Sequence, residues 1–326
     1  MDLVIASPNG DKQKVIDDYN LDLEFGIGLG NDFRLEGIND RLPLGSRIWI
    51  PNTEYGGIID DDNPSRTVKG DAIYYHGRTW QGILQGNIVS PDRGQDYLTL
   101  SGTCNNLLKT LIERSSLSDI FTVLPAGSPY IRSYKFNRYI DLYTAIRDML
   151  LTVGQRLEIK AVDGGVVLCS KEITDWGDLL GTENVAFSAK RNNRPVNHLI
   201  CLGKGELKER EVVHFYADED GNISQTQSLF GIDHVGQVYD ISSKSGSELV
   251  SAGRSKLKKL QEDKNTAKAV LPDAVGMSVG DSVTAISTTY GVKAKANITG
   301  VVLKIQGGLC SVTPKADGRA DTVDYT

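Results

Sequence analysis

The sequence predicts a mainly β fold carrying an α+β insertion, and three observations lead there. Glycine is abundant, with 34 among 326 residues against only 7 phenylalanines and 3 methionines, above the background of about 7 % glycine. Alternating apolar and polar residues recur between tight turn signals. Helical periodicity is confined to three stretches. A chain of this length is about twice an ordinary domain, so several domains with ample core are expected.

The first helical stretch is expected over about 104 to 116, where Cys104, Leu107, Leu108, Leu111 and Ile112 form one apolar stripe after Gly102 and Thr103. The second is stronger. Leu142, Ala145, Ile146, Met149, Leu150 and Val153 share a face, Asp141 stands at the start, and Gly154 follows the last apolar residue. The third, about 246 to 263, sets Leu249, Val250, Leu257 and Leu260 against many charges, weakened by Gly253. It is expected on the surface with one wet face.

Strands fill most of the remainder. Leu157, Ile159 and Ala161 alternate with polar residues up to Asp163-Gly164-Gly165, and an apolar strand then returns, a hairpin signature. With the preceding helix it makes 137 to 172 a compact unit. Turns are also expected at Asp218 to Asn222, Thr289 to Gly291, and Gln306-Gly307-Gly308. The C-terminal third therefore reads as an antiparallel meander, which closes into a barrel or sandwich to hide its edges. LPLGSRIWI at 42 to 50 and MSVGDSVTA at 277 to 285 echo each other, each an apolar residue, a Gly turn and an alternating strand. Chance similarity and two related barrels both remain open at this level.

Charge and cysteine usage exclude several classes. The 36 basic and 42 acidic side chains leave a net charge of −6, contrary to a protein that coats a phosphate backbone. Cys104, Cys169, Cys201 and Cys310 are too far apart for a CxxC metal or redox pair and are expected as reduced, buried thiols. The N-terminus has no basic start or apolar core, and no stretch approaches eighteen apolar residues, so a soluble protein without a secretory or membrane address is expected.

Candidate chemistry is sparse. Gly26-Ile27-Gly28-Leu29-Gly30 is followed by Asn31 and the strand-like FRLEGI instead of a helix start, so a loop or bulge is expected, not a phosphate cradle. Asp60, Asp61 and Asp62 lack the alternate spacing of a calcium loop and read as a solvated turn. His76, His198, His214 and His234 show no helical metal-pair spacing and flank no nucleophile elbow; structural roles are expected. Glu206 with Glu209, and Asp218 with Asp220, read as surface charge, as do Lys204 to Glu211 and Lys256, Lys258 and Lys259. No catalytic, cofactor-binding or metal-ligating residue is assigned, and no cofactor is expected.

IYYHGRTWQGILQGNIVSPDRGQDYLTLSG at 73 to 102, with GRTWQGIL and DYLTLSG at its core, resembles the tail hub proteins of long-tailed bacteriophages and prophages. RLPLGSRIWIPNTEYGGII before it and FNRYIDLYTAIRDMLLTVGQRLEIKAV after it agree in order and spacing. VGDSVTAISTTYGVKAKANITGVVLKIQGG is similar to the segment that closes the hub. The likeness is weakest over the first 20 residues and the final tail.

The resemblance implies two barrel-like β domains, at 1–102 and 186–326, with a small helix and hairpin insertion domain at 103–185. It implies a homotrimer, a ring with six barrels around a channel between the six-fold tail tube and the three-fold tip. Its neighbours would be the tail tube or distal tail protein, the tape-measure protein, and tip spike or fibre proteins. DNA would be met only in transit, and the protein would reside in the virion tail after assembly in the host cytoplasm. No catalytic domain follows VTPKADGRADTVDYT, so a structural protein is expected and not an enzyme. The alternatives are a cell-wall hydrolase with a dispersed site in 103 to 172, and a glycan-binding module using Trp49, Tyr74, Tyr75 and Trp80.

Overall fold

The computed structural model describes the chain except residues 11–12, 39, 68–69, 126, 163–164, 183, 272–275 and 323–326. The chain divides into two compact units. The first comprises Met1–Ala186, Ala269–Ala285 and Ala296–Asp317; the second comprises Phe187–Lys268, Ile286–Lys295 and Gly318–Thr326.

Helices form where the apolar stripes predict. In the first unit they are α1 (Trp80–Gln85), α2 (Cys104–Arg114), α3 (Leu142–Leu151) and α4 (Trp176–Leu180); α5 (Gly246–Glu262) belongs to the second. Thr103 caps α2 by accepting from the Asn106 N–H, and Asp141 caps α3 by accepting from Thr144 N–H at 2.8 Å. The short helices α1 and α4 lie outside the three expected stretches. Thr79 and Asp175 cap them through Gly82 and Gly177, and five or six residues are too few to carry a visible period.

One core holds the first unit's insertion together. Leu142, Ile146, Met149 and Leu150 of α3 pack with Leu108 of α2, Trp80 and Leu84 of α1, and Leu157, Ile159 and Leu168. The hairpin is formed as expected: Gln155–Val162 pairs antiparallel with Gly165–Glu172. Phe121–Val123 adds to it in parallel.

The large sheet runs in the order Gln13–Ile16, Leu3–Ala6, Arg47–Trp49, Gly56–Thr67, Gly70–Thr79, Asp32–Glu36, Asn20–Gly26, Val292–Gln306, Leu309–Thr322, Asn265–Val270, Ala186–Arg191. Ser282–Ser287 also pairs with Val292–Gln306. The sheet is curled into a half-barrel. Gly307 and Gly308 both take positive φ, 56° and 79°, the geometry of a two-residue turn matched to strand twist.

The echo between 42–50 and 277–285 extends to hydrogen bonds. Gly45 N–H donates to Ile59 and Gly280 N–H to Ile298, at 2.8 and 2.9 Å. Ile59 and Ile298 donate back to Ser46 and Asp281, and the turns close through Ser46 to Pro43 and Asp281 to Ser278. Both glycines sit at positive φ, 84° and 102°, where a side chain is strained. One local design therefore occurs twice.

The second unit has its own sheet. His198–Leu202 lies between Val212–Ala217, antiparallel, and Gly236–Asp240, parallel. The parallel pair corrects the expected all-antiparallel meander: after Ile223–Ser224 the chain crosses through 225–235 to the far side of His198–Leu202 before turning up. Leu199, Cys201 and Phe215 face α5 and pack on its Leu249 and Leu257. The Glu211 carboxylate accepts from Gly246 N–H at 3.0 Å and caps α5 from outside the helix.

Two smaller expectations are corrected. Asp60, Asp61 and Asp62 lie within Gly56–Thr67, beside a bulge at Ile59 and Asp61, and not in a turn. Each faces a cation or imidazole: Arg78 on Asp60 at 2.8 Å, His76 on Asp61 at 3.3 Å, Arg41 on Asp62 at 3.3 Å. Of the four thiols, Cys104 and Cys201 are buried while Cys169 is half-buried and Cys310 exposed; Cys310 is the second residue of the strand that Leu309 opens after the Gly307-Gly308 turn.

Candidate functional site

Strand alternation sorts the second unit's sheet into two faces. The odd-numbered Leu199 and Cys201 face α5, so His198, Ile200 and Leu202 line the opposite face, with Val212, His214 and Tyr216 beside them. His198 and His214 belong to neighbouring strands, and the loop before Gly236 delivers His234. Three of the four histidines thus meet.

His198 Nδ1 lies 2.8 Å from His234 Nε2, and His198 Nε2 lies 2.9 Å from His214 Nδ1. The His198 ring stacks on Tyr216 with centroids 4.3 Å apart. Because His198 uses nitrogens on opposite sides of its ring, the three imidazoles form a chain and not a chelate. Among the described residues no cluster of His, Cys, Asp and Glu converges to hold a metal ion. Burial, then His214 and His234, push the His198 pKa below the usual histidine value. Each bond needs one proton between its two nitrogens, so the chain tolerates a single excess proton on an outer nitrogen; a second must break a bond. Asn197 fixes the loop through its side chain, donating to Asp233 C=O and accepting from Val235 N–H. His76 stays apart, half-exposed against Asp61.

A second polar cluster lies buried in the first unit. Arg156 and Asp281 are 5 % and 0 % exposed and pair at 2.7 Å. Asp281 also accepts from Thr174 N–H, Trp176 Nε1–H and Ser278 N–H at 3.0 to 3.2 Å. Four donors on two oxygens satisfy the carboxylate. Asp175 does similar work on Thr284, accepting from its N–H and hydroxyl. Glu54 stands nearby, and burial raises its pKa to about 7 despite Ser278 and Arg156, which pull it down. Trp80 Nε1 and Gln81 Oε1 are buried without a partner among the described residues.

These clusters tie chain segments together. Arg156–Asp281 fastens the hairpin to the second Gly turn, 125 residues away in sequence, and a Cβ on Gly280 would lie 2.9 Å from the Arg156 Cβ. Sequence inspection missed both, since neither leaves local spacing; the visible trace was only Gly-Asp at 280–281. The Gly26–Gly30 tract is a hairpin loop between Asn20–Gly26 and Asp32–Glu36. Asn31, at φ 56°, accepts from Gly26 N–H through Oδ1 at 2.7 Å, so that donor is already taken within the loop. Asp218 caps its turn through Asn222. The glycan platform is not formed: Trp49, Trp80 and Tyr75 are core residues, and Tyr74 lies beneath the Arg34 guanidinium. No described helix is long and apolar enough to cross a membrane.

No protein-family model matches the chain, and no curated protein matches it. Solved structures do. The 43 kDa tail protein of prophage MuSo2 from Shewanella oneidensis superposes with a TM-score of 0.51 at 12 % identity, covering 97 % of this chain and 98 % of that one. A tail protein from Neisseria meningitidis MC58 gives 0.49 at 13 %, over 98 % and 97 %. Prophage tail protein gp18 from Listeria monocytogenes EGD-e gives 0.48 at 11 %, over 98 % and 94 %. The chain has the fold of a prophage tail protein.

Proposed function

We propose that the chain is a structural component of a phage-like tail, a hub that assembles as a homotrimeric ring between tail tube and tail tip. The observation that carries this reading is the fold shared with a prophage tail protein over nearly the whole of both chains. The twice-used Gly-turn device supports it, since two like sheet segments per chain give a three-chain ring six similar positions. The neighbours in this reading are the tail tube or distal tail protein, the tape-measure protein, and spike or fibre proteins of the tip. DNA passes through and is not bound, in keeping with the net charge of −6.

The role proposed is scaffolding without catalysis. Glu54 has the raised pKa of a general acid, but it faces Gln81, Ser278 and the Arg156–Asp281 pair, which serve packing. Imaging of tails carrying the tagged chain is the test. Three copies at the tube's distal end are expected; a single copy, or a tail complete without the chain, overturns the reading. Peptidoglycan zymography is expected to be blank, and a cleared band carried by the purified chain would overturn the non-catalytic role.

A further inference from the structure

The duplicated Gly turn makes one half of the sheet a template for the other. Outward from the first turn the strands run Arg47–Trp49, Gly56–Thr67, Gly70–Thr79, Asp32–Glu36, Asn20–Gly26; from the second they run Ser282–Ser287, Val292–Gln306, Leu309–Thr322, Asn265–Val270, Ala186–Arg191. The order is the same. In each series the first strand and its Gly turn cover the outer side of the second strand only at its beginning. Arg47–Trp49 reaches as far as Ile58, and the bonds to the turn end at Ile59 and Ile298.

Beyond those residues the two series differ. After Ile298, the stretch Gly300 to Ile305 is paired by the last strand of the first series, Gly26 to Leu21. After Ile59, Asp61 to Ser65 has no strand on its outer side among the described residues, and most of it is exposed. Among the described residues the last strand of the second series, Ala186–Arg191, stands at the end of the sheet, and it is exposed at all but Phe187. One filled slot, one empty slot and one spare strand remain.

We infer that Ala186–Arg191 of one copy adds to the Asp61–Ser65 edge of a second copy, repeating between chains the pairing that Asn20–Gly26 makes within one. This deepens the ring reading and rests on it. Charge supports the choice of occupant. In the filled slot Lys304 pairs with Asp22 across the strands at 3.1 Å. In the empty slot Asp61 is 59 % exposed beside the His76 imidazole, and the spare strand carries Lys190. Acidic side chains and Pro64 deter indiscriminate strand addition, whereas a basic strand meets complementary charge. A contact between two different patches is head-to-tail, and such contacts close into rings when the rotation permits.

The test is zero-length carbodiimide cross-linking of an equal mixture of heavy-isotope and unlabelled full-length chain, at a concentration where light scattering reports association. Mixed-isotope peptides joining Lys190 to Asp61 or Asp62 are expected. Asp61→Lys should weaken association roughly tenfold, and Asp61→Lys with Lys190→Glu should recover it. If the chains associate but every mixed-isotope link lies elsewhere, for example at Lys14 on the other exposed edge, the strand assignment is overturned while the ring reading stands. If the chains stay single at every concentration, the assignment is overturned as well, and the ring reading passes to imaging of assembled tails.

Discussion

The core around α3 and the core beneath α5 use one device, an amphipathic helix laid on strands, at two scales. Around α3 the strands and three helices converge, so the stripe is dry on every side. Beneath α5 only one sheet face is dry; its opposite face carries the imidazole chain, with Val212 and Val238 exposed. Apolar burial therefore fixes the first core, while hydrogen bonds and helix packing share the task in the second.

The largest test of that contrast is Ile146→Asp. Ile146 is fully buried among apolar neighbours, so an isolated carboxylate there should cost more than about 4 kcal/mol and abolish soluble expression. Unchanged expression and melting would mean the stripe faces a partner. Next is Asp281→Ala, which strands the Arg156 guanidinium in the interior. A loss of about 3–5 kcal/mol in denaturant melts is expected, with much of it regained when Arg156→Met is added.

Gly253→Ala separates the two cores. Its Cβ would lie 2.6 Å from both Cys201 Sγ and Phe215 Cε2, costing about 1–3 kcal/mol by overpacking. Hydrogen exchange should rise in 198–217 and stay unchanged in 142–168; a uniform rise would mean that the cores unfold as one.

The two smallest effects have opposite signs in pH. Glu54 has a folded pKa of about 7, above its usual 4.5. Between those values the folded state holds the extra proton, so stability present below 4.5 is lost as pH rises through 7. Glu54→Gln should therefore stabilise the chain by about 1–2 kcal/mol at pH 8 and be nearly neutral at pH 4. His198 is lowered from 6.5, so the unfolded chain takes its proton first and stability falls as pH drops below 6.5. His198→Gln should flatten that acid limb in a series of thermal melts; an unaltered limb would show that the imidazole chain carries no linkage.

Much of the fold was legible because it is local. The stripes at Leu107 to Ile112 and Leu142 to Leu150, the caps at Thr103 and Asp141, and the Gly307-Gly308 turn are each written within a few residues. The resemblance on GRTWQGIL and its neighbours led to the tail-protein fold, though within that segment α1 interrupts what reads as strand.

The sequence by itself determined the three longer helices, the main hairpins and the Gly-turn echo, since periodicity, capping and positive φ are properties of short segments. Only the tertiary structure decided which distant residues meet. His198, His214 and His234 are 16 and 20 residues apart and touch because two strands and a returning loop share one sheet face. Arg156 finds Asp281 because a hairpin lies against a remote turn. The parallel strand at 236–240 likewise depends on which side of His198–Leu202 the chain returns to. That choice is made by burial across the whole sheet, and no local pattern encodes it.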